Sequence, residues 1–227
     1  MSGADAGASG GARWGLPVAS VAAAERRRSL YRPPWRIDLV VRAGVPRLVP
    51  EARLADLLAE ALAAAGAPRP AAVGLLLTGD AEIADLKGAH LGEFAPTDVL
   101  SFPLLPPEAF PAHEPDPDRG RSPLVGGSAA DLPAEGFVLP PGRRVELGDI
   151  VVSVERAIDQ ARSGRGGQTG DRAWAPADEL RLLVVHGVLH LCGWDHADPE
   201  EGAAMRALER RLLGISASGD EAPGDED

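Results

Sequence analysis

The chain has 227 residues with a formal net charge of −11, a length that allows one medium-sized domain or two small ones. The acidic charge argues against a broad nucleic-acid-binding surface, so any such binding must depend on a local site. The single cysteine excludes an internal disulfide framework and fits a reducing compartment. No apolar run approaches the roughly 18 residues of a membrane span, and we see no secretory signal, so we expect a cytoplasmic protein.

The first half of the chain predicts alternating strands and helices after an irregular start. Residues 1–34 are rich in Ala and Gly and then in Arg, which predicts a disordered N-terminal arm. The pattern then predicts a strand at 37–42, a helix at 51–66, a buried strand at 71–78 and a short helix that begins with Asp80 as its N-cap.

The middle of the chain contains a strand and a long irregular segment. "TDVLSFP" predicts a strand that ends at Pro103. The Pro- and Gly-rich stretch at about 106–142 is too long for an ordinary connection, and we interpret it as an insertion. "LGDIVVSVERAIDQAR" then predicts a strand that runs into a helix near Ser153.

Two further helices and an acidic tail complete the chain. The helix at 176–191 is apolar almost all round, so we expect it to be central. Asp198 as N-cap, Pro199 and Glu201 predict the start of the last helix, whose inward stripe comprises Met205, Leu208 and Leu212. Residues 216–227 form an acidic tail that we expect to be disordered.

The order of the predicted elements indicates the fold class. It is β-α-β-α-β, a loop, β and then three helices, which favours an α+β protein. We therefore predict a single domain at 35–215, in which a small mixed β-sheet packs against helices.

Three of the five histidines lie in "HGVLHLCGWDH" at 186–196. His186 and His190 are one helical turn apart and share a face, while Gly193 predicts a helix end that could return His196 to the pair. Three neutral imidazoles suit Zn²⁺, Ni²⁺ or a similar metal, and three protein ligands leave a fourth position open. We predict that these histidines bind one metal ion.

Two simpler interpretations remain beside this one. The histidines could be unrelated residues of a core helix, or they could form a structural zinc site with Cys192 as the fourth ligand. Because Cys192 falls on another face of the helix, a buried thiol is favoured. The spacing also matches the extended zinc-protease pattern H-E-x-x-H-x-x-G-x-x-H, except that Gly187 stands where the protease has its general-base Glu.

Three motifs carry a family resemblance. "HGVLHLCGWDH" resembles the H-G-x-L-H-L-x-G-[YW]-D-H signature of the YbeY family of bacterial endoribonucleases, and "PTDVLSFP" (96–103) and "LGDIVVS" (147–153) resemble its two other motifs in the same order. The resemblance implies a zinc-dependent hydrolase with a zinc-protease-like metal helix and with His186, His190 and His196 as ligands. It also implies a role in ribosome quality control and in maturation of single-stranded rRNA near the 3′ end of 16S rRNA. The partners would be the rRNA and the small ribosomal subunit, with neither membrane nor DNA involved.

One position departs from the family pattern. Many family members have an Arg six residues before the Thr of the second motif, where it is thought to contact the phosphate backbone. This chain has Leu91 there. Lys87 and Arg42 are candidates to replace that charge.

The hypothesis for the chemistry is hydrolysis of a phosphodiester by a water that the metal activates. We count Asp195 with the catalytic residues, as a carboxylate that orients His196, although a role in forming the turn explains it equally well. Asp98 and Asp149 lie in the family motifs, and we expect them to support the site rather than to act as bases. Trp194 could stack on a base, but a Trp at such a position is more often part of the core.

Two alternative functions stay open. A zinc peptidase requires a Glu from elsewhere to replace Gly187. A ribosome-assembly factor that binds RNA without cleaving it is favoured by Leu91.

Overall fold

A five-stranded mixed β-sheet forms the centre of the structure. The computed structural model describes residues 24–111, 144–163, 174–196 and 198–215. In chain order the elements are β1 (Arg26–Arg32), β2 (Trp35–Val41), α1 (Glu51–Ala64), β3 (Ala71–Thr78), α2 (Asp80–Leu91), β4 (Val99–Pro103), a 3₁₀ turn (Pro107–Ala109), β5 (Val145–Ser153), α3 (Val154–Ser163), α4 (Pro176–Leu191) and α5 (Pro199–Leu213). The predicted order and the α+β class are confirmed, with one additional strand at the start.

The strand order in the sheet is β1-β2-β3-β5-β4. The three inner strands are parallel, and both edge strands pair with them in the antiparallel direction. The inner strands bury most of their side chains, as expected for parallel strands that are covered on both faces. The fold is thus a single mixed sheet covered by helices.

Helix α4 packs against this sheet and against the other helices. It contacts α1, α3, α5, β4 and β5 and buries nine of its residues, which confirms its predicted central position. The contact with β4 is close, since the Ser101 hydroxyl donates a hydrogen bond to the Gly187 carbonyl at 2.9 Å. The C-terminal end of α4 is therefore held at a fixed distance from the sheet.

The predicted disordered arm at 1–34 is wrong in its last part. Residues 26–32 form β1, which pairs along its whole length with β2. Its arginines have carboxylate partners on α1, where Glu51 pairs with Arg26 at 3.2 Å and with Arg28 at 3.3 Å. An edge strand can carry charged side chains, so an Arg-rich composition did not exclude a strand here. Residues 1–23 of the arm lie outside the described residues.

The predicted insertion at 106–142 is also structured at its start. The 3₁₀ turn at Pro107–Ala109 places Phe110 in the hydrophobic core, and Pro111 lies against Gly66 at the end of the α1 segment. The rest of this segment, residues 112–142, and the predicted acidic tail at 216–227 lie outside the described residues.

The helix starts were predicted with mixed success. Gly79, not Asp80, is the N-cap of α2, and the Asp80 carboxylate instead accepts a hydrogen bond from the Ser153 hydroxyl at 2.6 Å. The predicted N-cap of α5 is confirmed, because the Asp198 carboxylate accepts hydrogen bonds from the backbone N–H groups of Glu200 and Glu201. Within the described parts of the chain, no helix has the length and apolar character needed to cross a membrane.

Candidate metal centre

Three histidine side chains meet at the C-terminal end of α4. One ring nitrogen from each of His186, His190 and His196 lies within 4.8 Å of the others. The Nε2 atoms of His186 and His190 are 3.0 Å apart. The predicted residues are therefore close enough to share one ion.

The end of α4 explains how His196 reaches the pair. Gly193 comes after the helix with a φ of 86°, a left-handed conformation that favours glycine. Its backbone N–H donates to the His190 carbonyl at 3.0 Å, and the N–H of Trp194 donates to the Leu189 carbonyl at 3.0 Å. These hydrogen bonds stop the helix and turn the chain back, as predicted from the glycine.

A buried carboxylate on α5 orients the first histidine. Nδ1 of His186 lies 2.7 Å from Oε1 of Glu209, whose side chain is only 10% exposed. Because a carboxylate accepts this hydrogen bond, Nδ1 carries the proton and the lone pair of Nε2 is free for a metal. Glu209 was not predicted from the sequence. Its position next to Leu208 on the inward side of α5 was the signal that could have indicated it.

A second carboxylate contacts the third histidine. Oδ1 of Asp195 accepts a hydrogen bond from the backbone N–H of His196 at 2.7 Å and lies 3.2 Å from its ring Nδ1. Both side chains are more than half exposed. Glu201 steadies this turn, because its carboxylate accepts the backbone N–H of Asp195 at 2.9 Å. Asp195 thus occupies a place from which it can orient His196.

Two glycines allow the helices to approach the site closely. A Cβ atom at Gly187 would lie 2.6 Å from Cγ2 of Ile150 and 3.0 Å from Cγ2 of Val99, so a side chain at 187 would collide with the sheet. A Cβ atom at Gly202 of α5 would lie 3.4 Å from Cβ of His196. Position 187 therefore faces the sheet, and α5 packs directly beside the third histidine.

The donor set fits a zinc ion. Tetrahedral coordination with Zn–N bonds of about 2.0–2.1 Å separates two nitrogens by about 3.3 Å, close to the 3.0 Å between His186 and His190. Burial lowers the pKa of His190, and the neighbouring His186 and His196 lower it further. A lowered pKa favours the neutral imidazole that binds metal. The exposed side of His196 leaves the cluster accessible to solvent.

Cys192 does not join the histidines. The cysteine is fully buried, and burial raises the pKa of its thiol to about 12. Within the described residues, the group that could hold a metal contains the three histidines and no cysteine. The expectation of a buried thiol is thus favoured over a fourth ligand.

The other predicted site residues have different surroundings. Leu91 ends α2 with 63% of its surface exposed. Arg42 pairs with Glu82 at 2.5 Å and also with Glu25, and Lys87 pairs with Glu93 at 2.8 Å. Neither basic residue is therefore a free cation at the histidine cluster.

The two aspartates of the remaining motifs have structural contacts. Oδ1 of Asp98 accepts the backbone N–H of Val99 at 2.9 Å, and its Oδ2 accepts a hydrogen bond from the Gln160 side chain at 3.0 Å. Oδ1 of Asp149 lies over Gly74 of the neighbouring strand and occupies the space that a Cβ atom would need there. Trp194 packs against the hydrophobic core. These contacts support the sheet and the turn.

Comparison with known proteins identifies the family. Residues 47–216 match the family described as Endoribonuclease YbeY. A protein of that name from Symbiobacterium thermophilum is 38% identical over 152 residues, which cover 67% of this chain and 76% of the relative. A second from Rhodospirillum rubrum is 34% identical over 185 residues, 78% of this chain and 72% of the relative. This chain covers 58% of the length of another relative of that name and 79% of the length of a further one.

A comparison with solved structures finds the solution structure of a Thermotoga maritima protein. It is 21% identical with a TM-score of 0.40, and the match covers 77% of this chain and 91% of that chain. The family match at residues 47–216 contains the histidine cluster and both other motifs, and the chain belongs to the YbeY endoribonuclease family.

Proposed function

We propose that this protein is a zinc-dependent endoribonuclease that cleaves single-stranded rRNA during maturation of the 16S rRNA 3′ end. The substrate would be presented on the small ribosomal subunit in the cytoplasm, and the same activity would serve ribosome quality control. The observation that carries the proposal is the cluster of His186, His190 and His196 within the region that matches this family.

The three histidines would hold one Zn²⁺ ion. A zinc ion so bound supplies Lewis acidity, which activates water as a nucleophile and stabilises negative charge on a phosphoryl oxygen. Glu209 makes His186 a better ligand, because its carboxylate holds the Nδ1 proton and fixes the ring. The exposed side of His196 is where an RNA strand can approach.

Asp195 acts through His196 in this proposal. Its carboxylate holds the backbone and the ring of that residue on the solvent side of the cluster. This makes Asp195 a positioning residue, whose contribution is expected in metal affinity rather than in proton transfer.

The position of Gly187 argues against the zinc-peptidase alternative. In that chemistry a Glu at this position deprotonates the water, but here the Cβ direction meets Ile150 and Val99 of the sheet. The two carboxylates nearest the first and third histidines, Glu209 and Asp195, already accept hydrogen bonds from the ligands. The exposed Leu91 favours the second alternative, an assembly factor that binds RNA without cleaving it.

The experiment compares the wild-type protein with His190→Ala on a single-stranded precursor rRNA that spans the 3′ end of the small-subunit rRNA. Zinc content is measured on the same preparations, and the products are separated on a denaturing gel. We expect the zinc-loaded wild type to cleave the RNA, and His190→Ala to lack both zinc and cleavage.

Three outcomes distinguish the alternatives. Zinc-loaded wild type that leaves RNA intact but co-sediments with small subunits would support the assembly factor instead. Chelator-sensitive cleavage of casein would support the peptidase. Equal RNA cleavage by His190→Ala would show that the histidine cluster is not the nuclease site.

A further inference from the structure

An arginine of α5 lies beside the third histidine. A Cβ atom at Gly202 would be 3.3 Å from Nη1 of Arg206 and 3.4 Å from Cβ of His196. Nη1 of Arg206 and Cβ of His196 are thus both next to Gly202 on the surface of α5, so the guanidinium group and the proposed metal ligand both border this glycine.

Helix geometry places Arg206 on the side of α5 that faces the cluster. At 3.6 residues per turn, position 206 is rotated by about 40° from Gly202 and by about 60° from Glu209. Gly202 packs on His196, and Glu209 accepts a hydrogen bond from His186. Arg206 is therefore flanked along the helix by the two residues that contact the ligands, and its own side chain is exposed.

The arginine is also available to bind an anion. Other basic residues near helix starts and strand ends are already paired with carboxylates, as Arg42 is with Glu82 and Arg156 with Asp80. Among the described residues, by contrast, no carboxylate forms an ion pair or hydrogen bond with Arg206. Its charge is not neutralised within the part of the chain that the structure describes.

The site itself needs a positive charge from the protein. The charges of Glu209 and Asp195 offset that of a bound divalent ion, and the chain is acidic. An RNA backbone carries one negative charge per nucleotide and gains most of its affinity from cationic side chains. A guanidinium group offers up to five N–H donors in a planar arrangement that matches phosphate oxygens.

We infer that Arg206 binds a backbone phosphate of the RNA strand immediately next to the three-histidine site. The inference rests on the proposed nuclease function and extends it by naming the substrate contact. It assigns to α5 a second role besides orienting His186.

The test measures RNA affinity and its salt dependence, both separately from cleavage. Zinc-loaded protein is titrated onto a short fluorescent single-stranded RNA with 2′-O-methyl riboses, between about 50 and 200 mM KCl. A denaturing gel confirms that the RNA stays intact. The variants are Arg206→Ala and Arg206→Lys, with Arg211→Ala as the matched control, since Arg211 is an exposed arginine of the same helix rotated by about 140°.

We expect Arg206→Ala to weaken binding by about 3- to 10-fold and to reduce the slope of log K against log salt by about 0.7, the value for one lost phosphate contact on a single strand. Arg206→Lys should retain the slope, and Arg211→Ala should match the wild type. All variants should keep wild-type zinc content and circular dichroism.

The inference is overturned if Arg206→Ala and Arg211→Ala have the same affinity and slope. If the wild type cleaves precursor rRNA while the two variants bind alike, the inference about Arg206 fails alone and the proposed function stands. If the wild type neither binds nor cleaves RNA, both fail together.

Discussion

Helices α2 and α4 end in similar ways, yet only α4 ends in a candidate metal site. Each has a histidine in its last turn, His90 or His190, and each is succeeded by a left-handed glycine, with φ of 77° at Gly92 and 86° at Gly193. His90 contacts the ring of Phe102, whereas His190 lies within a cluster of imidazoles.

The two helices differ in the segment that comes after the glycine. After Gly92, residues 92–96 are all exposed. After Gly193 the chain brings back His196, and α5 adds the Glu209 carboxylate behind His186. The difference between His90 and His190 as candidate ligands therefore lies in the segment that folds back after α4.

The largest effect expected from this comparison is the loss of metal binding in His190→Ala. Removal of one of three ligands should weaken zinc affinity by more than about 100-fold, because a two-imidazole site holds the ion poorly. His90→Ala, the same change at the end of α2, should leave the zinc content at one ion per chain. Elemental analysis and a competition titration with a chromogenic chelator measure both variants. Equal zinc affinity in the two would remove the distinction between the helices.

Glu209→Gln should have the next largest effect. The neutral amide makes His186 a less basic ligand and relaxes its ring, so zinc affinity should fall by about 10- to 100-fold. The measurement is the same chelator competition, with Glu60→Gln, at an exposed glutamate of α1, as the control. An unchanged affinity in Glu209→Gln would mean that α5 contributes nothing to the site beyond packing.

Two of the buried helix glycines, Gly187 and Gly88, provide a comparison of stability. Gly187→Ala should lower the free energy of unfolding by about 1–3 kcal/mol, because the new methyl group meets the β-branched side chains of Ile150 and Val99. At Gly88 the three atoms nearest to a new Cβ all belong to the ring of Phe94, which is 76% exposed and can turn aside. Since alanine favours a helix over glycine by up to about 1 kcal/mol, Gly88→Ala should be neutral or stabilising. Urea denaturation of both variants gives the two values, and a Gly187→Ala protein as stable as wild type would contradict the close packing of α4.

The smallest effect concerns the ion pair between Arg42 and Glu82 at the start of α2. Hydrogen bonds from Arg42 lower the pKa of Glu82, burial opposes this, and the Thr78 hydroxyl lowers it further. A carboxylate whose folded pKa is depressed stabilises the fold above its unfolded value of 4.5, and this contribution is lost as the pH falls through the folded pKa. The side chain is one-third exposed, so the contribution should be below about 1 kcal/mol.

The measurement is the free energy of unfolding of wild type and Glu82→Gln at about pH 7 and about pH 4. The wild type should be the more stable of the two at the higher pH, and the gap should be smaller at the lower one. A gap that stays the same at both values would show that the ion pair is not its cause.

The central part of this site could be predicted from local sequence. The spacing of His186 and His190 with a subsequent Gly193 specifies a helix, its end and a returning chain, because each of these depends on residues near one another. The apolar pattern of α4 likewise indicated a central helix. The local sequence of 186–196 thus indicated the three histidines that the structure brings together.

Contacts between distant segments could not be derived in this way. Glu209 reaches the cluster only because α5 packs beside α4, and no local pattern fixes that packing. The same applies to β1, whose arginines have carboxylate partners on α1, so that an Arg-rich segment forms an edge strand. Asp80 was assigned to the wrong helix position because its side-chain partner, Ser153, lies on a distant strand.

Zinc-dependent cleavage of RNA can be tested by removing and restoring the metal in a single preparation of the wild-type protein. Zinc content and cleavage of the precursor rRNA are measured before chelation, after chelation and after addition of one equivalent of Zn²⁺. Cleavage should disappear with the zinc and return with it, in proportion to the amount bound. Undiminished cleavage by zinc-free protein, or no cleavage by fully loaded protein, would show that the three-histidine site is not a zinc-dependent nuclease centre.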